Sequence, residues 1–143
     1  MFSPIFTSAL ALACISALAA MLPTVSQAAP VARRQTATYT GDGTFYETGL
    51  GACGITNVDT DFIAAVAETT FDSFPGATAN PNANPICNKQ VTATFQGKSV
   101  TVSITDRCTG CGASDLDFSP SAFSVLADES VGRIEGMTWA FID

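Results

Sequence analysis

Histidine is absent from the 143-residue chain. Tetrahedral metal sites draw largely on cysteine and histidine, so only the cysteine half of such a site is available. Cations are scarce as well: six Lys and Arg stand against thirteen Asp and Glu, a formal charge of −7. A chain of that sign repels phosphate backbones, pectin-like polyanions and anionic membranes, which excludes nucleic acid and acidic surfaces as partners. No Asn-x-Ser/Thr triplet occurs, so N-glycosylation is not indicated. There is no internal repeat, and the long apolar run is confined to the start of the chain.

That run covers residues 5–22 and is followed by Ser26-Gln27-Ala28, a small-x-small ending suited to signal peptidase. A membrane anchor is the competing role. Pro4, Pro23 and the cleavage-type ending favour export. Ala29 to Arg34 closes on paired arginines, Arg33 and Arg34, as a propeptide cut by a dibasic-specific protease does. The expected division is a signal peptide over 1–28, a propeptide over 29–34, and one mature domain over 35–143. The product is expected to be secreted and extracellular, to leave the membrane after processing, and to be a monomer. A domain of that length can bury one modest core. Its cations are then Lys89, Lys98, Arg107 and Arg133 against all thirteen acids, which leaves neutral polysaccharides and proteins as partners.

Cys14 departs with the signal peptide, while Cys53, Cys87, Cys108 and Cys111 stay. An even cysteine count in a small exported domain signals disulfides, and four cysteines allow three pairings. Cys108-x-x-Cys111 is also half of a metal site, but Cys53 and Cys87 are too far apart in sequence to form a second close pair. No βαβ pattern surrounds it, which argues against a thioredoxin-like redox pair. Neither a metal nor a cofactor is expected.

The most informative stretch runs from Val91 to Asp117. Val91, Ala93 and Phe95 alternate with Thr92 and Thr94, and after Gln96-Gly97-Lys98 the alternation resumes through Val100, Val102 and Ile104. Period-two patterning about a glycine-containing turn predicts a β-hairpin with one buried face. Its second strand delivers Asp106 and Arg107 to a loop, a common place for a site.

Upstream, Gln35 to Gly41 is expected to be a tail, and Gly43 to Thr48 a strand with Thr44, Tyr46 and Thr48 on one face. Phe62 to Ala67 is short and apolar, as a buried strand is. Glu68 to Pro85 has the composition of a loop. Beyond Asp117, Ser119 can cap a helix that starts at Pro120 and buries Ala122, Phe123, Leu126 and Ala127 on one side. Asp117 would then precede a helix N-terminus, whose partial positive charge favours its ionised form. Met137, Trp139 and Phe141 alternate as a last strand. The fold class is therefore mainly β: six short strands with one or two short helices, closed into a small barrel.

Taken together, Gly43-Thr-Phe-Tyr46, Gly51-Ala-Cys-Gly54, Val102-x-Ile-Thr-Asp106-Arg, Asp115-Leu-Asp117-Phe-Ser-Pro-x-Ala-Phe123, Gly132-Arg-Ile and Trp139 resemble the double-psi β-barrel. That is the domain of expansins, barwin, the rare lipoprotein A group and family 45 endoglucanases. The likeness is greatest to the single-domain fungal expansin-like proteins called loosenins and covers Thr38 to Asp143.

The resemblance implies a six-stranded double-psi barrel with a polysaccharide groove formed by Thr44, Tyr46, Thr48, Asp106, Arg107 and Asp117. Asp106 and Asp117 match the two functional acids of expansins. It also implies the disulfides Cys53–Cys87 and Cys108–Cys111. In family 45 endoglucanases the counterpart of Asp117 is the general acid, and the general base is an Asp where this chain has Thr48. In the rare lipoprotein A enzymes the Asp matching Asp106 works with a His five residues on, where this chain has Cys111. Inverting hydrolysis needs two carboxyls, so the resemblance implies a protein that loosens cellulose, β-glucan or chitin in cell walls without being an enzyme. The alternative is a protein-binding module that inhibits papain-like cysteine proteases. Purely structural roles compete for both acids: an ion pair with Arg107 or a turn cap for Asp106, and a helix-end cap for Asp117.

Overall fold

The computed structural model describes residues 36–142. The signal peptide and propeptide expected over 1–34 and the expected mature start at Gln35 lie outside the described residues. Six strands occur in the order β1 (Thr38–Phe45), β2 (Ile63–Ala67), β3 (Gln90–Phe95), β4 (Lys98–Cys108), β5 (Leu116–Phe118) and β6 (Ile134–Phe141). Two short helices accompany them, α1 (Glu68–Asp72) directly after β2 and α2 (Pro120–Leu126) directly after β5.

Local chemistry accounts for the β3–β4 hairpin. Gln96 and Gly97 both have positive φ, 47° and 80°, the mirror-image turn whose twist matches that of paired strands. It sets the register Phe95↔Lys98 and Val91↔Val102, so that Val91, Ala93, Val100, Val102 and Ile104 all face the core. Thr92 with Thr101 and Thr94 with Ser99 pair their hydroxyls at 2.8 Å on the outer face.

The strands close into a barrel in the order β1-β5-β2-β4-β3-β6, with β1–β5 and β2–β4 parallel and the other neighbours antiparallel. This six-stranded double-psi barrel with two short helices is the architecture the resemblance implies. The whole of β2 is buried, as its unbroken apolar sequence requires of a strand covered on both faces. Phe71, Phe118, Phe123, Leu126, Met137 and Trp139 fill the interior and the space under the helices. Trp139 stacks on Tyr39 at 4.2 Å and donates its ring N–H to the Ser114 carbonyl at 2.7 Å, tying the last strand to the loop before β5.

Four expectations change. The supposed tail is strand from Thr38 onward, paired with β6 through Thr38↔Ala140; its hydrogen bonds come from tertiary pairing that no local pattern announces. Glu68 to Pro85 is not all loop, because Glu68–Asp72 forms α1, anchored by buried Phe71. Phe62 lies outside β2 and is 49% exposed. Ser119 precedes α2 but makes no side-chain cap; its hydroxyl donates instead to the Asp61 carbonyl.

Candidate functional site

The site residues are set by register. Thr44 on β1 pairs with Asp117 on β5, Asp117 with Ala65 on β2, and Ala65 with Asp106 on β4. Residues in register project to the same side of a sheet, and neighbouring strands lie about 4.8 Å apart. The two acids therefore flank Ala65 on one face, with the methyl of Ala65 beneath them, while Leu116 and Phe118 turn to the core.

Side-chain bonds complete the row. The Thr44 hydroxyl donates to Asp117 Oδ1 at 2.7 Å. The Tyr46 hydroxyl donates to Asp106 Oδ2 at 3.2 Å, and Asp106 Oδ1 accepts the backbone N–H groups of Ala52 and Arg107, each at 2.8 Å. Asp106 thus holds the glycine-rich turn Gly49–Gly54 against β4. Gly51 has to be glycine there, since a Cβ would run into the Thr105 carbonyl. Of the competing structural roles, the Asp106–Arg107 side-chain ion pair is not what forms. Arg107 reaches away to α1, bonding Asp72 through Nε at 2.8 Å and Nη2 at 2.6 Å and lying 3.2 Å from Glu68.

Electrostatics distinguishes the polar groups. Burial pushes the Asp117 carboxyl above the ordinary carboxylate range; the Thr44 hydrogen bond and the charge of Arg133 pull it back, and Asp106 adds to the rise. The expectation that a helix end would favour the ionised form does not prevail, because desolvation by burial is the largest influence on this carboxyl. Burial, reinforced by the adjacent Asp106 and Asp117 charges, drives the Tyr46 phenol well above the usual tyrosine range.

Thr48 does not join the row. It lies beyond the end of β1, half-buried, and both its N–H and its hydroxyl donate to Asp59 Oδ1, at 2.8 and 2.9 Å. Thr44, Tyr46, Asp106 and Asp117 are thus brought together, Arg107 borders them, and Thr48 belongs to the loop between β1 and β2. Asp59 and Asp72 escape sequence reasoning because no periodicity links Asp59 to Thr48 across an irregular loop, and Asp72 acts through Arg107, 35 positions away. The only hint for Asp72 was its place four residues after Glu68, which puts both on one helix side.

A cleft of about 580 Å³ adjoins the row, lined by Ala52, Phe71, Asp72, Thr78, Pro81 and Arg107 among others. Disulfides fix both margins of the site: Cys53–Cys87 pins the Gly49–Gly54 turn, and Cys108–Cys111 closes the loop after Arg107. Among the described residues, one group could hold a metal, Cys108, Cys111 and Asp117, whose ligand atoms lie within 4.8 Å of one another. Its two sulfurs are joined to each other and so are not thiolate ligands.

Residues 38–137 match the family model described as lytic transglycolase, a double-psi β-barrel. A homolog of allergen Asp f 7 from Arthroderma benhamiae is 38% identical over 72% of this chain and 38% of its own length. The chain spans little more than a third of such allergen relatives. A papain inhibitor from Streptomyces mobaraensis is 35% identical over 72% of this chain and 71% of the inhibitor. A solved Streptomyces papain inhibitor superposes with a TM-score of 0.68 at 30% identity, over 75% of this chain and 96% of that one. The expansin of Clavibacter michiganensis, solved in complex with cellohexaose, shares the fold with a TM-score of 0.60 at 23% identity, over 75% of this chain and 51% of the expansin.

Proposed function

Since the chain belongs to the double-psi β-barrel family described as lytic transglycolase, we propose that its mature, exported form binds a neutral β-linked cell-wall polysaccharide and loosens it without hydrolysis. The observation that carries this is the row Thr44, Asp117, Ala65, Asp106, with the Tyr46 ring beside it. Two carboxylates and two hydroxyls on one face can exchange hydrogen bonds with sugar hydroxyls, and an aromatic ring offers a stacking surface. An acid that competes for hydroxyls otherwise bonded chain to chain weakens an assembled glycan without breaking a covalent bond.

The chemistry for cleavage is poorly provided. Inverting hydrolysis needs a second carboxyl free to activate water. By the resemblance Thr48 takes the sequence position of the base, and a threonine bound to Asp59 cannot activate water, while Asp106 already accepts from three protein donors. The position that would carry a lytic histidine is Cys111, locked in a disulfide. The test measures weakening of filter paper or a glucan gel together with reducing ends in the same samples. Weakening with no new reducing ends is expected; steady release of soluble oligosaccharide that disappears in Asp117→Asn would overturn the proposal.

A second function is favoured by the 35% identity to a papain inhibitor, which extends over 71% of that protein. Here the exposed apolar side chains between β1 and β2, Leu50, Val58 and Phe62, would face a protease. Inhibition of papain without any binding to cellulose or chitin would move the assignment to this class.

A further inference from the structure

The Arg107 side chain is the one cation in the wall of the cleft beside Asp106, and the row of site residues gives it no role. The cleft adjoins the row at Asp106, since the backbone N–H groups of Ala52 and Arg107, both lining residues, bond the same oxygen of that acid. A lone arginine in a polysaccharide cleft would ordinarily recruit carboxylates or sulfates, through the bidentate geometry that guanidinium favours. Here that geometry is already occupied by Asp72 Oδ1 and Oδ2, and Glu68, one turn earlier on α1, approaches the same nitrogen. The cation and its two acids together carry a net negative charge.

We infer that Glu68 and Asp72 act as specificity residues that cancel Arg107, so that the cleft accepts uncharged glycan and turns away uronic-acid polymers. This rests on the polysaccharide function proposed above and adds to it the residues that enforce its preference for neutral glycan. A neutral sugar meets hydroxyl-bonding carboxylates and the small side chains of Ala52, Ala77 and Ala79. An acidic sugar must displace Asp72 from the guanidinium while Glu68 stands 3.2 Å from the same group. Arg107 is 28% exposed, whereas Glu68 at 45% and Asp72 at 52% are open to water, so the interaction is weakened by salt.

The experiment compares binding of cellohexaose and of a galacturonic-acid hexamer to the parent and to Glu68→Gln/Asp72→Asn, at low and at moderate salt. A charge-matched control, Glu129→Gln/Glu135→Gln, removes two acids elsewhere on the surface. The expected result is that the parent binds cellohexaose in preference. The cleft variant should gain about tenfold or more for the acidic hexamer at low salt, a gain that shrinks as salt rises, and the control should gain much less. Thermal melting confirms that both variants are folded. Unchanged discrimination in the cleft variant with cellohexaose binding intact would overturn this inference alone, as would an equal gain in the control. Absence of cellohexaose binding in the parent would overturn the polysaccharide function and this inference with it.

Discussion

Asp106 and Asp117 stand in register with the same residue, Ala65, from opposite sides of β2. The width of one strand sets how far apart the two carboxylates are held, and the Ala65 methyl is what lies between them. Ala65 is 2% exposed, so a larger side chain there must push the acids or Tyr46 aside. Ala65→Val keeps strand propensity and is expected to cost about 1–3 kcal/mol through overpacking. It should weaken cellohexaose binding roughly tenfold if the two acids act as one site. Titration calorimetry together with thermal melting separates the two effects; a lower melting temperature with unaltered binding would show that the spacing of the acids does not matter.

Tyr46 is held protonated by burial and by the two nearby carboxylates. The chain has two tyrosines, so a Tyr39→Phe variant leaves Tyr46 as the sole phenol. Its phenolate absorbance is expected to rise only well above the ordinary tyrosine value near 10. Adding Asp106→Asn removes one of the charges that raise it, and the midpoint should then fall. A midpoint that ignores Asp106→Asn would mean that the 3.2 Å contact between them is not made in solution.

The two disulfides should differ in weight. Cys53–Cys87 spans 34 positions and Cys108–Cys111 spans three. In the chain-entropy model the longer loop contributes about 3–4 kcal/mol and the shorter distinctly less. Denaturant unfolding of Cys53→Ala/Cys87→Ala and of Cys108→Ala/Cys111→Ala checks the ranking. The first pair should lose the more stability, because it also frees the Gly49–Gly54 turn from the segment that leads into β3. The second should lose little stability yet lower glycan binding, by loosening the loop that follows Arg107.

Much of this was legible in the sequence where local pattern and tertiary structure agree. The β3–β4 hairpin, the buried run at Ile63–Ala67 and the last strand follow from periodicity and turn chemistry. The functional row required more, since Thr44, Asp106 and Asp117 meet only because β5 enters between β1 and β2. Periodicity says which face a residue takes but not which strand lies next to it, so the resemblance to a known barrel was needed to group them. The start of β1 was missed because Thr38-Tyr39-Thr40-Gly41 pairs with residues about a hundred positions later. Alternation from Tyr46 puts Thr48 on the same face, but Asp59, which no local pattern links to it, takes up both its N–H and its hydroxyl. The state of Asp117 was misjudged for a different reason: helix position is visible in a sequence, whereas burial of a carboxyl is not.

That burial has a consequence for pH. An acid whose pKa is higher in the folded than in the unfolded chain binds extra protons when folded, so stability falls as pH rises between the ordinary carboxylate value and the raised one. Asp117 contributes in this sense, being tolerated best when protonated. Asparagine copies the neutral form and can still accept the Thr44 hydroxyl. Asp117→Asn is therefore expected to melt at or above the parent temperature at pH 7, with the difference shrinking toward pH 3, while polysaccharide weakening is lost at every pH. A residue whose replacement stabilises the fold and removes activity is retained for function. Melting curves at the two pH values, run beside the weakening assay, check both halves. If the variant is less stable at pH 7 by an amount that does not change with pH, Asp117 is a structural residue and its place in the proposed function fails.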